Sequence, residues 1–159
     1  SLFRAYTDAL IEEIESVKGT KTDTVYIGGG TPTAIGEYLL EIVDYVNKNL
    51  VLSENCEFTV EANPGTVNLG ILKKLFQKGV NRISLGAQSF NDDELRALGR
   101  IHSSKEIFES VDAIKEAGFK NFSIDLSMHP KFYTFVISIY RNVVKCNFTR
   151  RTNFGRIYK

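Results

Sequence analysis

The sequence has only two cysteines in 159 residues, Cys56 and Cys146, far apart and without metal-ligand spacing. That excludes a disulfide framework and a zinc site, and leaves two reduced thiols in a cytosolic protein as the expectation. No apolar run approaches the ~20 residues of a membrane span, and nothing resembles a signal peptide. The expected location is therefore cytoplasmic. No Ser-His-Asp set or Cys-His pair is present, and His102 and His129 are isolated. Lone histidines are more often structural than ligands, so no catalytic and no metal-ligating residue is assigned. Acid is missing at one end. Residues 1–130 hold all 19 Asp and Glu with 13 Lys and Arg, whereas residues 131–159 hold seven basic residues and no acid.

What is present is the composition of a globular protein, 43% hydrophobic and 25% charged. The length suits one core and not two ordinary domains. Phe3, Tyr6, Leu10, Ile14 and Val17 recur at three- and four-residue steps and predict a helix over 2–17 that Gly19 closes. A short strand over 24–27 follows, then a helix over 36–50 with Leu39, Ile42, Val43 and Val46 inward. Residues 56–60 read as a strand. The helix over 67–78 turns Leu69, Leu72, Leu75 and Phe76 inward and stops at Gly79. Residues 81–85 are a third strand. Asn91 with Glu94, and Ser103 with Glu106, are helix-start pairs. The helix over 104–117 buries Ile107, Phe108, Val111 and Ile114, stops at Gly118, and leads to a strand over 121–124.

Strict strand–helix alternation argues for about four parallel β/α units, joined by right-handed crossovers that place every strand's C-terminus on one edge. The first glycine cluster is not followed by G-x-x-G, so a dinucleotide-binding sheet is disfavoured. A (β/α) barrel, or part of one, is the expected architecture.

The strands end in polar or special residues: Gly28-Gly29-Gly30-Thr31, then Glu61, Gln88 and Asp125. A strand-end carboxylate alone is often a helix cap. Four in succession after apolar strands are harder to explain so, because half-buried polar groups need partners and a polar ligand would supply them. Glycine carbonyls, Glu61 and Asp125 accept from ammonium or hydroxyl groups, and Gln88 donates and accepts. Arg100 suits a ligand carboxylate, or equally a surface ion pair. The chemistry is recognition more than acid–base catalysis.

In order and at similar spacing, Gly28-Gly29-Gly30-Thr31-Pro32, Glu61-Ala62-Asn63-Pro64-Gly65, the run from Asn81 to Phe90, Leu98-Gly99-Arg100-Ile101-His102 and Ser123-Ile124-Asp125-Leu126 resemble the radical S-adenosylmethionine (SAM) proteins of the oxygen-independent coproporphyrinogen III oxidase family. The Gly-Arg-Ile-His stretch looks more like the heme-chaperone branch. The resemblance covers roughly residues 2–128. It implies a partial (β/α) barrel of the radical SAM type, in which SAM binds beside a 4Fe-4S cluster that cleaves it to a 5′-deoxyadenosyl radical. It also implies that Gly28, Gly29, Gly30 and Thr31 contact the methionine part of SAM. Glu61, Gln88, Arg100 and Asp125 would complete one or two cofactor sites.

Two departures limit the expectation. The family's C-x-x-x-C-x-x-C is absent, and Cys56 and Cys146 cannot replace it. After Asp125-Leu126 the family's Gly-Leu-Pro-Gly-Gln-type loop gives way to Ser127-Met128-His129-Pro130. The expected organisation is a partial radical SAM barrel over 1–130 and a divergent basic, aromatic tail over 131–159, in which the stretch from Phe132 to Val144 fits a strand or a buried helix. Starting at Ser1 in a helical pattern, the chain is expected to be a fragment, catalytically inactive, of a parent that uses SAM and a 4Fe-4S cluster and handles heme or porphyrin. No nucleic-acid partner is expected, since no recognised module accompanies the tail. Two other classes stay open: a non-catalytic module binding SAM or a heme precursor, and an unrelated β/α-barrel enzyme using the glycines for phosphate.

Overall fold

The computed structural model describes residues 2–129, 133–140 and 143–150. The expected boundary at residues 130 and 131 and the basic end over 151–159 lie outside the described residues, as do the side chains of His129 and Cys146. The elements run α1 (Leu2–Glu15), β1 (Lys21–Ile27), α2 (Glu37–Asn49), β2 (Val51–Ala62), α3 (Leu69–Gln77), β3 (Arg82–Gln88), α4 (Asp92–Ala97), α5 (Ser104–Glu116) and β4 (Asn121–His129). Strands β1 to β4 pair in parallel, each with the next in the chain. Strands β5 (Tyr133–Tyr140) and β6 (Val143–Arg150) continue the sheet antiparallel, so sheet order equals chain order. The stretch left open between strand and helix is therefore strand over Tyr133–Tyr140.

Alternation along each strand sorts the two faces of the sheet. Phe58, Val60 and Ala62 of β2, Ile83, Leu85 and Ala87 of β3, and Phe122 of β4 pack against Leu39, Val43 and Val46 of α2, Leu72 and Leu75 of α3, and Ile107 and Ile114 of α5. Fully burying such an aliphatic or aromatic side chain contributes about 1.5–3 kcal/mol. The intervening positions are polar and turn to the other face: Tyr26, Thr59 and Glu61, Arg82 and Ser84, Ser123 and Asp125. Among the described residues no helix is long and apolar enough to cross a membrane.

The helix ends follow the sequence signals closely. Asn91 caps α4, accepting from the N–H groups of Asp93 and Glu94, and Ser103 with Glu106 forms a reciprocal capping box on α5. Helices α3, α4 and α5 all stop at a left-handed glycine, Gly79, Gly99 and Gly118, at φ 93°, 67° and 104°. In each the next N–H turns back to the last turn: Val80 to the Leu75 carbonyl at 3.1 Å, Arg100 to Leu95 at 2.9 Å, Phe119 to Ile114 at 3.2 Å.

The apolar stripe over 2–17, for which the sequence predicts only a helix, is partly open: Phe3, Tyr6 and Val17 are exposed, while Ile14 packs against the core, and α1 is tied to α2 by Arg4–Glu41 and Tyr45–Glu15. Two expectations are corrected. Phe76 and Phe108 are partly exposed. Each lies on another ring, Phe119 at 5.2 Å and Phe90 at 5.3 Å, rather than in the core. Finally, β4 runs four residues past Asp125 because β5 pairs with it as far as His129, so Asp125 sits within a strand and not at its end.

Candidate functional site

At the C-terminal edge of the parallel strands lies a small polar cleft of about 160 Å³, lined by Gly30, Thr31, Glu61, Ala62, Asn63, Ser84, Gly86, Gln88, Arg100 and Asp125. Parallel pairing puts all four strand ends on this edge. The cleft therefore collects residues from β2, β3, β4, the segments after β1 and β2, and the loop after α4.

Glu61 braces the glycine segment that forms one wall. One carboxylate oxygen, Oε2, accepts from the Gly29 N–H at 3.0 Å, and the other accepts from the Tyr26 hydroxyl. Burial, and then that hydrogen bond, push the Tyr26 phenol well above its ordinary range, so it stays a donor. Gly28 cannot carry a side chain here: a Cβ would run into the Tyr26 ring and stand 2.9 Å from the Glu61 carboxyl carbon. Gly29 and Gly30 are left-handed, at φ 89° and 60°. Thr31 is fixed from across the cleft by the Asn63 amide, which donates to its Oγ1 at 2.7 Å.

The floor belongs to β3 and β4. Gly86 leaves room beside the Asn63 side chain, which a Cβ would approach to 2.9 Å. Gln88 ends β3 in a left-handed conformation at φ 71°, the one such residue other than glycine among the described residues, and its Oε1 accepts from Ser127 Oγ at 2.9 Å. Asp125 accepts from Ser84 Oγ through Oδ2 at 3.1 Å, while its Oδ1 is buried with no hydrogen-bond partner. Burial pushes the Asp125 carboxyl up, Ser84 opposes that, and nearby Glu61 adds to it. An orphaned buried acceptor costs free energy until a donor meets it.

Arg100 reaches the cleft from a pinned loop. The Gly99 turn fixes its N–H on Leu95, the buried His102 ring bonds the Ala87 carbonyl at 3.1 Å, and Asp92 accepts from the Ser104 N–H at 2.7 Å. His102 thereby ties the loop to the end of β3.

Of the eight residues singled out in the sequence, Gly30, Thr31, Glu61, Gln88, Arg100 and Asp125 line this cleft. Gly28 and Gly29 do not. They line a neighbouring apolar groove of about 520 Å³ between α1, β1 and α2, with Phe3, Tyr6, Leu10 and Ile27 on its sides. Gly30 and Thr31 border both. Sequence reasoning missed Tyr26, Asn63, Ser84 and Gly86. The alternation of Arg82, Ser84 and Gly86 with Ile83, Leu85 and Ala87 was the available signal. Cys56 is buried on the helix-facing side of β2, where Asn81 Nδ2 donates to its carbonyl at 2.8 Å. It lies about 16 Å along the strand from Glu61, and burial pushes its thiol up. Among the described residues no group of three or more His, Cys, Asp or Glu could hold a metal ion.

The donor set suits SAM. Acceptors for an ammonium group stand at Glu61 and at the unpartnered Asp125 Oδ1, donors for a carboxylate at Arg100 and Gln88, and bare backbone at Gly30 and Gly86. It does not suit a 4Fe-4S cluster, which needs several thiolates together.

Most of the chain is similar to proteins already known. The radical SAM superfamily matches residues 5–134. The heme chaperone HemW of Lactococcus lactis is 45% identical over 123 residues, 77% of this chain and 32% of the relative. HemW of Escherichia coli is 36% identical over 129 residues, 78% of this chain and 34% of the relative. Among solved structures, the coproporphyrinogen III oxidase HemN of Escherichia coli, described as a radical SAM enzyme, superposes with a TM-score of 0.70 at 29% identity, over 78% of this chain and 30% of that one. The chain spans about a third of the length of these relatives.

Proposed function

The chain belongs to the radical SAM superfamily, in its HemW/HemN-like part, and on that premise we propose that the polar cleft binds S-adenosylmethionine. The observation that carries this is the convergence of Glu61, Gln88, Arg100 and Asp125, from three strands and a loop, on one cleft beside Gly30 and Thr31. Glu61 and Asp125 receive the ammonium or ribose hydroxyl groups, Arg100 and Gln88 meet the carboxylate, and the glycines let the ligand approach backbone. Glu61 also has a structural role, since by accepting from Gly29 and Tyr26 it holds the glycine wall in register. Gly28 and Gly29 act from behind that wall.

The wider role we infer is that of a heme-chaperone or coproporphyrinogen-oxidase-like protein of the cytoplasm, handling heme or a porphyrin. In such proteins a 4Fe-4S cluster supplies the electron that cleaves SAM. This chain holds two cysteines, with Cys56 away from the cleft, so we infer that by itself it binds SAM without radical chemistry and acts as part of a longer radical SAM protein. The residues over 131–159, whose strands β5 and β6 continue the sheet antiparallel, we propose as a segment distinct in composition from the barrel unit over 1–130.

Calorimetric titration of the 159-residue chain with SAM tests the binding. Glu61→Ala is expected to weaken it about tenfold or more, since about 1.4 kcal/mol is tenfold and a hydrogen bond to a charged group is worth at least that. Absence of binding to the unsubstituted chain refutes the proposal. Preference for a sugar phosphate would favour a phosphate site instead. Formation of 5′-deoxyadenosine after anaerobic iron–sulfur reconstitution would refute the inactive role.

A further inference from the structure

Behind the cleft, on the same face of the sheet, side chains from β3 and β4 form one hydrogen-bonded row. Arg82 Nη2 donates to Ser123 Oγ at 3.0 Å, Ser123 Oγ donates to Ser84 Oγ at 3.0 Å, and Ser84 Oγ donates to Asp125 Oδ2 at 3.1 Å. The other arm of the guanidinium donates to Thr59 Oγ1 at 3.3 Å, with Glu57 at 4.0 Å. Both serines and Thr59 are buried, so water does not compete for these bonds. The row has a direction. A guanidinium offers five donors, no acceptor, and does not deprotonate in proteins. Ser123 must accept from it and turns its own hydrogen to Ser84, and Ser84 then turns its hydrogen to Asp125.

We propose that Arg82 is a positioning residue for Asp125: acting through the Ser123 hydroxyl, it fixes Ser84 as a donor to Oδ2, so that Asp125, which lines the cleft, keeps its buried Oδ1 as the acceptor left for a ligand N–H or O–H group. This rests on the cleft being the SAM site, where such donors are the ammonium and the ribose hydroxyls. It also assigns a role to an arginine that does not line the cleft. Each lost link removes a donor from the ionised form of Asp125 and favours its protonation. The other charged or titratable groups toward Asp125 are Glu61 on β2, Tyr26 on β1 and Arg100 across the cleft. On β5 the position opposite in register is the uncharged Val136.

The test titrates Asp125 by carboxyl-carbon NMR in the full 159-residue chain without ligand. Ser84→Ala and Arg82→Gln are each expected to raise its midpoint by about one on the pH scale, the size of a lost hydrogen bond to a charged group. Arg82→Lys, which keeps a donor-only cation, is expected to restore most of the original value. In the Ser84→Ala background Arg82→Gln is expected to add little, because the row is already cut. An unmoved midpoint in Ser84→Ala overturns the proposal, and so does full additivity of the two changes, which would mean that Arg82 acts through its field alone. If Arg82→Gln fails to fold, Ser84→Ala and Arg82→Lys carry the test. In parallel, the acid limb of the SAM-binding profile should move upward by the same amount in Ser84→Ala. No SAM binding by the unsubstituted chain would refute the cleft assignment, while the ligand-free titration still decides on the row.

Discussion

Gly28 lies where two side chains, those of Tyr26 and Glu61, already fill the volume a Cβ would need. A Cβ added there would run into the Tyr26 ring and stand 2.9 Å from the Glu61 carboxyl carbon, inside the distance that real contacts reach. Gly28→Ala is therefore expected to cost about 1–3 kcal/mol, the usual cost of overpacking, in urea denaturation. Tyr26→Ala in the same chain should recover part of that cost, because it removes the nearer of the two clashing groups, and full additivity would mean that the strain lies elsewhere. Glu61 is the partner that makes this position matter for the cleft, since it bonds both Tyr26 and Gly29. At this scale much of the cleft was legible in the sequence, because Glu61, Gln88 and Asp125 stand at polar positions after apolar runs. Tyr26 was not legible: in a strand of seven residues its ring reads as one more core side chain, and only pairing with β2 shows that it faces Glu61.

The elements follow short local signals where such signals are self-sufficient. The capping box of α5 is contained in four residues, and its geometry is complete: Ser103 Oγ accepts from the Glu106 N–H, and Glu106 accepts from the Ser103 N–H at 2.8 Å. Ser103→Ala is expected to lower stability by about 1 kcal/mol, read as a lower urea midpoint with unchanged slope. Its loss should also loosen the loop that presents Arg100, visible as faster amide exchange at Arg100. The glycine stops at Gly79 and Gly118 were equally legible, since each follows an apolar-periodic run, whereas Gly99 closes a helix of six residues, too short to show a period. The burial of α1 was not legible. Periodicity reports that a helix has an apolar stripe, but not whether a partner covers it, and Leu2 and Phe3 remain 83% and 45% exposed beside the edge strand. The true length of β4 was hidden for a similar reason, because its last residues are strand only through pairing with β5.

For the whole molecule, pH acts through carboxyl groups shifted in opposite directions. Backbone N–H groups of Ser103 and Ser104, first among their partners, hold Glu106 and Asp92 below the ordinary carboxylate range. Their contribution is present above the unfolded value, about 4, and is lost as pH falls through their lowered folded values. Asp125 works the other way, since burial raises its folded value. The folded chain then binds the proton more tightly than the unfolded one, so this term favours folding at low pH and is lost as pH rises through the raised value. Asp125→Asn is accordingly expected to raise the thermal midpoint at neutral pH and to leave only the acid-side loss. A midpoint unchanged at neutral pH would show that burying this charge costs nothing.

Because sheet order equals chain order, each strand joins the edge left by the strand before it, with α2, α3, and α4 with α5 in turn between the parallel neighbours. Among the described strands none waits for a distant partner, and none must be inserted between two others. A chain leaving the ribosome can extend the sheet one unit at a time, in the direction of translation. The cleft does not mature at the same pace. Its glycine wall is synthesised with the first strand, Glu61 with the second and Gln88 with the third, and it gains Asp125 only when the fourth emerges. Three of the four described parallel strands are thus made before the cleft has all its lining, and a ligand bound as proposed could assist folding only from β4 onward.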